Sequence, residues 1–143
     1  MIRALALALL LAMAVPQPAT AAAAEKAAVE GESARAMDVL NLVTPVVRDG
    51  RLVNYLFINA RIQLAPGVDV WRTREKGHFL RDALLKAVHR RSIAAADRDD
   101  QLDPVAAQTL IGAVARQTLG ANAVRSVEIL SVSSLRQGRS ARS

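Results

Sequence analysis

The stretch Leu52–Leu64 constrains the fold of this chain more than any other. Leu52, Leu56, Ile58, Ala60, Ile62 and Leu64 share one parity, interrupted only by Asn54. The opposite parity runs Val53, Tyr55, Phe57, Asn59, Arg61, Gln63. A period of two sustained over this length belongs to a β-strand, whose side chains project to opposite faces in turn. One side is apolar throughout and needs a covering layer. The other turns polar halfway along, as suits a strand whose outer face emerges into water.

The flanking segments supply the rest of such a fold. Val39-Leu40-Asn41-Leu42-Val43 predicts an earlier strand, broken at Pro45. Between the two strands, Arg48-Asp49-Gly50-Arg51 predicts a hairpin turn, because glycine takes positive φ at no steric cost. Ala65-Pro66-Gly67 ends the long strand, and from about Val68 to Arg91 the period becomes helical. Leu80, Ala83, Leu84, Ala87 and Val88 fall on one stripe facing a core, and Asp82 stands four residues before Lys86 as a surface pair. Ser92–Gln101 reads as a loop. Asp103-Pro104 then starts a second helix, with Asp as cap and Pro at the first helical position. Ala107, Leu110, Ile111 and Val114 line its inner face, Gly120 is its stop, and Val124–Leu135 reads as a final strand.

The expected fold is therefore α+β: a small, largely antiparallel three-stranded sheet with two helices on one face, in the order strand-strand-helix-helix-strand. The apolar side of Leu52–Leu64 packs against the stripes Leu80–Val88 and Leu110–Val114. With 143 residues there is room for one domain of ordinary size.

The amino terminus reads as an address. Met1-Ile2-Arg3 is short and positive, Ala4–Val15 is an unbroken apolar run, and Ala19-Thr20-Ala21 is an A-x-A exit. The run is too short to cross a ~30 Å hydrocarbon core comfortably at ~1.5 Å per residue. Cleavage after Ala21 is expected, with Ala24 as the alternative site and an uncleaved signal anchor in the inner membrane as the competing reading. No arginine pair marks a twin-arginine signal, so the general secretory route to the periplasm is the expectation. The organisation expected is thus a signal peptide over residues 1–21, an Ala-rich flexible spacer over 22–37, one α+β domain over 38–136 and a basic tail over 137–143.

Composition excludes several functions. The chain has no cysteine, which removes disulfide scaffolds, thiolate metal sites, cysteine nucleophiles and lipoprotein anchors. Its histidines are His78 and His89, about 16 Å apart if they lie on one helix, too far to share an ion. Neither Ser131–Ser134 nor Ser140–Ser143 has the glycine flanks of a nucleophile elbow. Asp97, Asp99, Asp100 and Asp103 cluster before the second helix, without the glycine and terminal glutamate of a calcium loop. There is no glycine-rich phosphate cradle. No catalytic residue, cofactor or metal is expected, and the protein is not expected to be an enzyme.

The formal net charge is +6, and its distribution is uneven. Arg72, Arg74, Lys76, Arg81, Lys86, Arg90 and Arg91 stand against Glu75 and Asp82, while Arg136, Arg139 and Arg142 follow near the end. Such a patch suits an anionic lipid surface or an acidic partner, or is simply a solvated helix face. Nucleic acid is not expected, because aromatic stacking platforms are nearly absent and the chain is read as exported.

A sharper feature depends on whether the first helix is continuous. If it runs unbroken from Trp71, then Trp71, His78 and Leu85 recur every seven residues, with His89 one turn further. Bordered by Arg74 and Arg81, they form an expected partner-binding patch. The alternative is that Gly77 breaks the helix and Trp71 folds back over the sheet edge.

The element order, with Phe79-Leu80-Arg81-Asp82-Ala83-Leu84-Leu85 and Val124-Arg125-Ser126-Val127-Glu128-Ile129, resembles the periplasmic domain of flagellar basal body-associated FliL-type proteins. The similarity runs from about Asn41 to Gln137 through short, degenerate motifs. It implies a non-enzymatic domain that assembles around a membrane-bound complex, with a protein partner at the inner membrane and self-association as a further possibility. That family carries a full transmembrane helix where this chain has its short export signal. The expected function is thus an exported interaction or scaffold domain. The alternative is a peripheral binder of anionic lipid or polyanion through Arg72–Arg91.

Overall fold

The structure, a computed structural model, describes Lys26, Gly31 and residues 33–135. The export segment read at 1–21, most of the spacer and the tail at 137–143 lie outside the described residues. The fold is α+β, with strands β1 (Ala36–Arg48), β2 (Arg51–Leu64) and β3 (Val124–Ser134) and helices α1 (Val70–Glu75), α2 (Gly77–Arg90) and α3 (Pro104–Leu119). Both strand pairings are antiparallel and the sheet order is β1-β2-β3, which places the long alternating strand in the centre. None of the described helices is long and apolar enough to cross a membrane.

The inward parity of β2 forms the floor of the core. Leu56, Ile58, Ala60 and Ile62 are fully buried, the last three in one cluster with Leu80, Leu84 and Val88 of α2 and Ala107, Ile111 and Ala115 of α3. Helix α2 packs on β1 and α3 on β3, so both lie on the same face of the sheet. Side chains buried to this extent contribute ~1.5–3 kcal/mol each relative to exposure. At the hairpin, Asp49 and Gly50 both take positive φ, as the tight turn requires. The carboxylate of Asp103 accepts from the amides of Val105 and Ala106 at 3.0 Å and so starts α3, while Gly120 at φ 124° stops it.

Four local expectations are corrected. Pro45 does not break the first strand, which continues to Arg48 with Pro45 opposite Tyr55. Among the described residues β1 is an edge strand, paired on one side only, so a residue lacking an N–H is tolerated there. The strand also begins earlier than expected, since Ala36 and Met37, inside the stretch read as a spacer, are buried strand residues. Leu52 leaves the apolar side: a bulge at Val53 sets Leu52 opposite Val47, and it is 51% exposed. Finally, the first helix is split, so that between Val70 and Leu119 there are three helices instead of two. Lys76, at φ −82° and ψ 2°, separates α1 from α2 just before Gly77.

Candidate functional site

One face of the sheet carries the helices, and the opposite face has no layer on it among the described residues. Its composition follows from the second parity of β2 and the register of its neighbours. Phe57 lies between Val43 and Ser133, and Tyr55 lies opposite Pro45. Val43, Pro45, Val53, Tyr55 and Phe57 are half-buried, and exposed Val47 and Leu52 extend the apolar area toward the hairpin. Contiguous apolar surface of this kind on a small domain marks an interaction site more often than a solvated face.

The other half of the outer face is polar. Asn59 accepts from the amide of Asn41 at 2.7 Å and donates to the hydroxyl of Ser131 at 2.8 Å, spanning all three strands. Asn41 itself has φ 52° within the β1 bulge, a conformation asparagine tolerates better than most residues. Beyond it, the guanidinium of Arg61 donates twice to Asp38, from Nε at 2.7 Å and from Nη2 at 2.9 Å. That bidentate contact holds the Asp38 carboxyl below its ordinary range against a smaller opposing effect of burial, and holds the Arg61 guanidinium above its own. Glu128 lies across β2 from the pair. At the paired positions of this polar half the charges are therefore Asp38, Arg61 and Glu128 alone, in contrast to the basic helical side.

The residues singled out from the helical spacing are distributed among three environments. Trp71 is 77% exposed on α1, with the Arg74 guanidinium 5.8 Å from its ring centre. His78 and His89 are exposed on α2; the His78 ring lies 3.9 Å from that of exposed Phe79, and His89 Nδ1 donates to the Leu85 carbonyl. Leu85 is half-buried against the core. Arg74 and Arg81 turn to the sheet edge. Arg74 Nη2 donates to the carbonyls of Ala34 and Ala36 at 3.0 and 3.1 Å, and Arg81 Nη1 donates to that of Leu40 at 2.8 Å.

The stripe is thus not one patch. The break at Lys76 removes Trp71 from the register of α2, and the two arginines serve β1. Neither reading of Trp71 describes it fully, since the helix does break near Gly77 yet the indole does not fold over the sheet. The outer parity of β2 and a strand reaching Val43 are both legible in the sequence, but Pro45 as the neighbour of Tyr55 is not, because proline ordinarily ends a strand.

The acidic cluster is used locally. Asp99 accepts from Arg48 Nε at 3.0 Å, Asp100 from Arg98 Nε at 3.1 Å, and Asp103 caps α3. Arg48 also donates to the carbonyl of Ala95, and Asn54 donates to that of Asp99, so this loop is docked on the hairpin end of the sheet. Arg98 is held above its ordinary range by its bond to Asp100. Comparison of the chain with protein-family models, curated proteins and solved structures returns no match.

Proposed function

We propose that the protein is a non-enzymatic interaction domain that self-associates through the outer face of its sheet and acts as an exported scaffold. The observation that carries this reading is the apolar half formed by Val43, Pro45, Tyr55 and Phe57, which no layer covers among the described residues. A second copy is the occupant that charge favours. The chain is basic overall, and its helical side carries most of that charge, so two copies repel if they approach helix to helix. The sheet face offers them nearly neutral surface. A two-fold axis through the apolar half would lay apolar on apolar and leave the Asp38–Arg61 strip at the rim, the self-complementarity that an isologous interface needs. Three strands of 13, 14 and 11 residues share a face of roughly 14 by 36 Å, about 500 Å2, the scale of a weak, concentration-dependent interface.

The periplasmic location belongs to the same proposal and is supported by the Met1–Ala21 pattern. The resemblance to flagellar basal body-associated proteins supports assembly at a membrane-bound complex as the setting. A second reading, adsorption to an anionic surface through Arg72–Arg91, is favoured by exposed Trp71 beside those charges. Sedimentation velocity at several protein concentrations tests the first reading. A dimer is expected for the unaltered chain and a folded monomer for Phe57→Lys. A monomer throughout, or a dimer indifferent to both Phe57→Lys and Tyr55→Lys, would overturn it.

A further inference from the structure

We infer that the cleft between the first half of β1 and the start of α2 binds an amphipathic phosphomonoester, its head held by Arg74 and Arg81 and its apolar body laid against Met37 and Leu80. The cleft encloses about 500 Å3, within the ~300–1,000 Å3 usual for small-molecule sites. Arg61, Arg74 and Arg81 line it, with Asp38 as the opposing carboxylate, so among the described residues guanidinium charge exceeds carboxylate charge by two. Asp38 is already matched by its two hydrogen bonds from Arg61. Arg74 and Arg81 remain, and backbone carbonyls of Ala34, Ala36 and Leu40 hold them in place. A guanidinium has five N–H donors, of which Arg81 uses one and Arg74 two in these bonds. Among the described residues no hydrogen bond takes the others, which leaves them to a ligand on groups that need no reordering to receive it.

The charge selects the head group. A phosphomonoester carries about −1.5 to −2 at neutral pH, which answers two guanidiniums, whereas a carboxylate answers one. The floor selects the body: Met37 and Leu80 are 9% and 1% exposed, and the narrow surface they present together with Ala36 and Val39 is apolar. Gly77 keeps the wall low between them, since the one described atom within 4 Å of an added Cβ there is Met37 Cε, at 3.7 Å. This site does not depend on self-association, sharing only the Asp38–Arg61 pair with the outer face.

A soluble phosphate ester and a phosphatidate headgroup share this chemistry, and two arms distinguish them. In the first, hexyl phosphate is titrated calorimetrically into the full chain, with hexanoate as comparison. In the second, the chain is sedimented with phosphatidylcholine vesicles with or without phosphatidic acid. Saturable binding of hexyl phosphate, tighter than hexanoate, is expected if the ligand is soluble; retention by the phosphatidate vesicles alone assigns it to the membrane. In whichever arm binds, Arg81→Gln, which removes the charge and keeps a polar side chain, should weaken binding about tenfold. Asp38→Asn should tighten it several-fold, a gain that misfolding cannot produce. No saturable binding in either arm, hexanoate equal to hexyl phosphate, or affinity unmoved by Arg81→Gln or Asp38→Asn would overturn the inference.

Discussion

The side-chain amide of Asn54 donates to the Ser134 hydroxyl at 2.7 Å, joining β2 to the end of β3 across eighty residues of chain. The same amide donates to the Asp99 carbonyl at 2.9 Å, and the side-chain oxygen accepts from the amide of Tyr55. Asn54 is the single interruption in the apolar side of β2, and it is buried. Its place follows from what surrounds it: at the hairpin end a docked loop brings polar backbone against the sheet, and an apolar residue would leave those groups unpaired. Asn54→Leu should therefore destabilise the protein by about 1–3 kcal/mol in urea unfolding, despite adding hydrophobicity. Proteolysis in the Ser92–Asp103 loop should increase in the same variant.

Two substitutions separate core from surface among the helical residues. Leu84 has no exposed surface, and Leu84→Ala should cost about 2–5 kcal/mol by thermal or chemical unfolding. Trp71→Ala should lie within about 0.5 kcal/mol of the unaltered protein, because the indole is mostly in solvent. A large loss at Trp71 would place the indole in the core.

Much of this architecture was legible in the sequence. Leu56, Ile58, Ala60 and Ile62 announced the buried side of β2, and Asp103 with Gly120 marked both ends of α3. What escaped was every place where tertiary context overrode a local signal. Pro45 is compatible with a strand because that strand has a free edge. Leu52 changes sides because a bulge costs β2 one residue of phase. Arg74 and Arg81 looked like the border of a patch, but a bent chain at Lys76 and a bulge at Leu40–Asn41 bring strand carbonyls to them. None of these can be read from periodicity, which records only what each segment does by itself.

The Asp38–Arg61 pair makes a modest prediction about acid. Folding lowers the Asp38 carboxyl below its ordinary value of 3.8, so the pair stabilises the protein above that value and ceases to do so as pH falls through the lower folded one. Between about pH 5 and pH 2 the unaltered protein should lose stability more steeply than Asp38→Asn. Urea midpoints across that range provide the check. Because both side chains are partly in solvent, the difference should be small and should shrink in high salt.

The most direct test of the account asks which face of one copy meets the other. The chain has no cysteine, so single thiols can be placed cleanly. Val43→Cys sits on the outer sheet face beside Phe57, and His89→Cys on the exposed side of α2. Treated with a short bismaleimide at the concentration where the dimer forms, Val43→Cys should give a covalent dimer and His89→Cys should stay monomeric. Cross-linking through His89→Cys with none through Val43→Cys would contradict the sheet face as the surface of association.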